Sequence, residues 1–317
     1  MRLLLLPLLV LLLSSVCLAQ RNPTMTSQMD DADREQLYAR FAENKKVQVA
    51  ERQKLAYEAA RDYVKRYSGE HDSHLAEMRR FVTEYERVMG NFEVNEAFKK
   101  RNMVKTFELG REALKKNPEN FYVLATLTQA GYLSALGGAT TYIMESTDAA
   151  NRALAIAESD KFTQTDPFKD AADARGFLNF ALGYLELSTS PANAEAALIK
   201  AVKSGSSYKD NPVTYNLLGI AILKGEYARI SAEYNEKFGN KPPSPEQEAM
   251  YKRIVHLGER AIDAYARSIA LSTKPELQES KARMLVQLTQ LYKTFHNGSD
   301  AGLNELIAGV LAKPLPE

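Results

Sequence analysis

From about Asp33 onward, apolar residues recur at spacings of three and four on segments rich in Ala, Leu, Glu, Lys and Arg, the pattern of amphipathic helices. No stretch alternates apolar and polar residues in the manner of a strand. Proline and glycine fall between these segments, in KKNPEN (115–120), LGG (136–138), STSPAN (188–193), KDNP (209–212), FGNKPPSP (238–245), TKPE (273–276) and HNGSD (296–300). The spacing of these breaks predicts about a dozen helices joined by short turns, an all-α chain with neighbouring helices antiparallel.

The run YNLLGIAILKGEY (215–227) sets a glycine inside an apolar stretch that suits a buried strand or one arm of a helical hairpin. Its spacing recurs elsewhere, which decides for the hairpin. Tyr215, Leu218, Gly219 and Ile222 fit a first helix in which Gly219 allows close approach, Gly225 makes the turn, and Ile230 and Tyr234 continue on a second helix. About one repeat length upstream, Leu182 and Gly183 are followed by Ala194, Leu198 and Ala201. About two repeat lengths downstream, Leu285, Leu288, Thr289 and Tyr292 are followed by Leu303, Ile307 and Val310. Ala261, Tyr265 and Ser268 read as a second helix with a degenerate first one, ALKKNPEN (113–120) as a closing turn, and Tyr122 as the start of a further degenerate unit.

Over roughly residues 92–312 this pattern resembles the tetratricopeptide repeat family, a stack of helix hairpins of about 34 residues each. The chain departs from the family in lacking tryptophan, in an insertion at 238–245 and in a long segment at 139–165. The resemblance implies a TPR-like right-handed α-solenoid over residues 92–317, whose first helices line a concave face. The matched positions are Phe177, Phe180 and Tyr184, then Val213, Asn216 and Ile220, then Arg283, Val286, Gln290 and Lys293. They imply a largely apolar, aromatic groove with a basic edge at Arg283 and Lys293.

Residues 36–91 match no repeat. Leu37, Phe41, Val47, Leu55, Ala59 and Tyr63 predict one long amphipathic helix, and Leu75, Met78, Phe81, Val82, Tyr85 and Val88 a second, together a hairpin that caps the array. Residues 20–35 are polar and read as a flexible tether. Residues 1–19 combine Arg2, a leucine-rich core and a small-residue end at Ala19, the layout of a cleavable secretory signal.

Export changes the reading of the composition. Cys17 is the only cysteine and leaves with the signal, so the mature chain relies on its core in a compartment that permits disulfides. A bacterial periplasm or secreted location fits. With 41 basic and 40 acidic residues the chain is near neutral, which argues against nucleic acid as a partner. After signal cleavage no membrane-spanning segment is expected.

Candidate chemistry is sparse. His71 and His74 flank Asp72 in a turn and lack a third ligand, His256 and His296 are isolated, and Gly137-Gly138 has no following Lys-Ser or Lys-Thr. No nucleophilic triad is visible. The expectation is a protein that is not an enzyme and needs no cofactor or metal, a scaffold for a protein or peptide of the cell envelope. The alternative is a ligand-binding component associated with a solute transporter, holding an apolar small molecule in an internal channel.

Overall fold

The computed structural model describes residues 23–69, 73–159, 162–163, 165–239 and 242–316. The signal segment, residues 20–22 of the tether, and His71 with Asp72 lie outside them. Every regular element among the described residues is helical, with no strand, and the chain divides into two compact units, up to Glu86 and from Arg87 on.

In the first unit, α1 (Pro23–Asn44) packs along α2 (Ala50–Arg66), and α3 (Leu75–Lys99) starts with Leu75 and Met78 in the same core. Phe41, Ala56, Ala59, Ala60 and Tyr63 fill that core, their small and aromatic side chains spaced so that one face of each helix is apolar. Two expectations are corrected here. The helix expected from Leu37 through Tyr63 is two helices, because Val49 is extended (φ −123°, ψ 133°) and the Gln53 amide donates to the carbonyls of Lys45 (2.9 Å) and Val47 (2.7 Å), closing a turn. Val47 is exposed in that turn. The segment expected as a tether is helical from Pro23. It is polar yet anchored, since Asp33 pairs with Arg66 and the Tyr67 hydroxyl donates to the Asp30 carbonyl at 3.2 Å.

The second unit continues with α4 (Met103–Lys116), α5 (Phe121–Leu136), α6 (Ile143–Ala157), α7 (Ala171–Glu186), α8 (Pro191–Lys203), α9 (Pro212–Ile222), α10 (Ala228–Phe238), α11 (Pro245–Leu271), α12 (Gln278–Phe295) and α13 (Leu303–Gly309). Local chemistry sets the starts. Asn102, Asn120, Asp170, Asn211 and Ser244 each accept a backbone N–H from the first turn of their helix, and prolines occupy the first turns of α8, α9 and α11.

Helices adjacent in sequence pack together: α4 on α5, α5 on α6, α6 on α7, α7 on α8, α8 on α9, and α11 on α12, while α5 also touches α7 and α7 touches α9. Glycine seats the crossings. A Cβ on Gly183 of α7 would stand 2.5 Å from Leu198 of α8, and one on Gly219 of α9 would stand 3.0 Å from the Tyr265 ring of α11. A side chain at 183 would force Leu198 to move and one at 219 would crowd the Tyr265 ring, so glycine lets these helices come close, and the small-residue stripes of α8 and α11 are buried.

Gly225 is not a hairpin turn. It sits at a kink (φ −87°, ψ −113°) in a π-helical segment, Leu223–Tyr227, that joins α9 to α10. The partner of α9 is α11, and the Ser268 hydroxyl donates to the Pro212 carbonyl at 2.7 Å across that pair. The units expected around Tyr215 and around Ala261 are therefore one hairpin, α9 with α11. Helix α10 and the residues leading to Pro245 are an insertion between its arms.

Candidate functional site

Phe177, Phe180 and Tyr184 fall at i, i+3 and i+7 of α7, which sets them on one face. Tyr132 of α5 lies edge-on to all three, with ring centroids at 6.2, 5.5 and 5.2 Å. Tyr208, on the 3-10 turn Ser207–Asp210 after α8, approaches Phe180 at 5.0 Å and Phe177 at 6.3 Å, and Phe168 reaches Phe177 at 5.4 Å. Edge contacts of this kind add about 0.5–1.5 kcal/mol each beyond burial and fix the rings.

Phe180 is buried, whereas Tyr132, Phe177, Tyr184 and Tyr208 are half-buried. The strip is thus partly covered by rings of the same chain and partly open. Burial pushes the Tyr208 phenol up to about 12, with the nearby Asp173 charge acting in the same direction, and burial also raises Tyr132. Both hydroxyls stay protonated at neutral pH and serve as neutral hydrogen-bond donors or acceptors.

The other matched positions behave differently. Val213 is exposed at the start of α9, Asn216 is half-buried, and Ile220 is half-buried against the cluster of Tyr265 and Leu288. Val286 is 71 % exposed on α12, flanked by exposed Arg283 and Gln290. The expected basic edge is compensated: Arg283 pairs with Glu279, and Lys293 with Asp300 at 2.9 Å. Helices α7 and α9 touch directly. The α12 set stands on a helix that packs on α11.

No family model, no curated protein and no solved structure matches this chain.

A second polar constellation, on α11, was not anticipated. Arg260 donates to Glu195 of α8 at 2.8 Å, with side chains only 13 % and 14 % exposed. One and two turns on, Arg267 Nε donates to Asp263 at 2.6 Å, and Arg267 Nη2 donates to the carbonyls of Lys313 (2.9 Å) and Pro314 (2.8 Å). Burial pushes the Asp263 carboxyl up, opposed by the Arg267 hydrogen bond and charge. The signal was present in AIDAYARSIAL, where an acid and an arginine four residues apart sit among Ala, Ile and Tyr on a helix otherwise made for burial.

Two of the histidines take structural positions. His74 stacks on Tyr38 at 3.6 Å, and His296 closes α12, stacked on Tyr292 at 3.7 Å with Nδ1 2.9 Å from its carbonyl. Among the described residues no cluster of His, Cys, Asp or Glu could hold a metal ion. No described helix is long and apolar enough to cross a membrane.

Proposed function

We propose that the chain is a non-catalytic binding scaffold, an exported TPR-like array of the bacterial envelope that holds a peptide segment of another envelope protein against the aromatic strip of α5 and α7. The observation that carries this reading is the set of partly exposed rings of Tyr132, Phe177 and Tyr184, drawn from two successive hairpins and fixed by edge contacts. Aromatic side chains held in place offer large contact area at little further entropic cost, which is why such rings dominate binding surfaces. The neutral phenols of Tyr132 and Tyr208 add hydrogen bonds to backbone groups of an extended segment or polar positions of an amphipathic helix. Neighbour-on-neighbour helix packing with a glycine at the α7–α8 crossing supports the repeat reading.

Panning a displayed random-peptide library against the full chain tests this. Enriched peptides should lose about tenfold in affinity, roughly 1.4 kcal/mol, in Tyr132→Ala and in Tyr184→Ala, and should be unaffected by Val286→Ala. Peptides insensitive to both tyrosines would overturn the assignment of the strip.

A further inference from the structure

Residues 313–316 (KPLP) run along α11 from Arg267 toward His256, and their contacts have the form of a bound peptide. Lys313 is extended (φ −102°, ψ 150°), and Pro314 and Pro316 fix φ on either side of Leu315. Lys313 and Pro314 are exposed, so their side chains do little to hold the segment. What holds it is Arg267, itself 5 % exposed, whose Nη2 donates to both of their carbonyls at 2.9 and 2.8 Å. Leu315 packs against the apolar cluster shared by α9 and α11, which includes Leu217 and Leu257, and Pro316 lies beside His256, Glu259 and Leu306.

Four features distinguish this from ordinary packing of an extended segment. Arg267 reads main-chain carbonyls, which every peptide carries, so recognition is independent of side chains at the first two positions. Proline supplies no N–H at two of the four positions, and a face whose contribution is donors asks for none. A buried guanidinium without acceptors is costly, so Arg267, with Asp263 satisfying only part of its fork, favours a segment that brings carbonyls. A leucine held between prolines in an extended conformation also loses little entropy on binding.

We propose that the α11 face around Arg267 is a receptor for extended, proline-flanked peptides with a central leucine, occupied in cis by residues 313–316 and open to a second peptide of the same chemistry when that segment leaves. Leu315 shares its apolar cluster with Phe180, but the proposal does not rest on the reading of the aromatic strip.

The probe is a fluorescein-labelled peptide with the sequence of residues 311–317, LAKPLPE, titrated against the full chain and its full-length Leu315→Ala variant by fluorescence anisotropy. Leu315→Ala weakens the segment in cis, so the probe should bind that variant at least about tenfold more tightly than it binds the unaltered chain. A scrambled peptide should not bind. Adding Arg267→Gln with Asp263→Asn, a pair that leaves no stranded charge, should abolish the gain while circular dichroism keeps the helical signal. Equal binding to both chains would overturn the proposal. So would a Leu315→Ala chain that loses its fold, because the segment is then a piece of the core.

Discussion

Gly183 on α7 faces Leu198 on α8 so closely that a methyl group at position 183 would lie 2.5 Å from the leucine Cγ and 3.2 Å from the Ala194 carbonyl. The leucine side chain must shift to admit the methyl, and the backbone carbonyl beside it is already a tight contact. Gly183→Ala should lower stability by about 1–3 kcal/mol through overpacking, outweighing the roughly 1 kcal/mol that alanine gains in helix propensity. Gly309→Ala, at a position with open space around it, should be neutral or slightly stabilising. Urea midpoints of the two variants check this, and a stabilised Gly183→Ala would count against the crossing.

The pairing of α9 with α11 is tested by coupling. Gly219→Leu should destabilise the chain by about 2 kcal/mol or more, and Tyr265→Ala should recover part of that loss, since the Tyr265 ring is what the new side chain meets. Ile230→Ala on α10 should add to Gly219→Leu independently. Coupling to Ile230 rather than Tyr265 would restore the hairpin with a turn at Gly225.

Glu195 and Arg260 tie α8 to α11 with little solvent to screen them. Removing one partner leaves a poorly solvated charge, so Glu195→Ala should cost on the order of 3 kcal/mol, whereas Glu195→Met with Arg260→Leu should return most of it. Thermal unfolding of the single and double variants reads the difference.

Burial pushes the Tyr265 phenol up to about 12, while in the unfolded chain it ionises near 10. The native chain keeps that proton over a range where the unfolded chain releases it, so stability falls as pH rises from 10 toward 12, by about 2–3 kcal/mol for a shift of this size. Tyr265→Phe should move the alkaline unfolding midpoint to higher pH. An unchanged midpoint would show that another group controls it.

Much of this architecture was legible because helical spacing and glycine at a crossing are local signals. Leu182-Gly183 with Ala194 and Leu198 announced a hairpin, and α7 and α8 form it around those residues. The arms of α9 and α11 were harder, since Gly225 carries the chemistry of a turn yet continues the helix through a kink, and only the distant Pro242-Pro243-Ser244-Pro245 run ends the insertion. The α1–α2 break was hidden because Val47 fits an apolar stripe, while the β-branched Val49 two residues on takes the extended backbone that separates the helices. At the candidate site, the α7 rings could be read from their spacing. Tyr132 and Tyr208 could not, because nothing local says that a ring on α5 and one after α8 will meet over α7. The Arg267 contact with residues 313 and 314 reaches past α12 and α13 and has no local signature.

Hydrogen exchange read by mass spectrometry on the full chain, with and without a saturating peptide selected against it, tests the docking face most directly. The account predicts added protection in residues 121–136 and 171–186, the helices that carry Tyr132, Phe177 and Tyr184. Protection confined to α12, or none in α5 and α7, would contradict it.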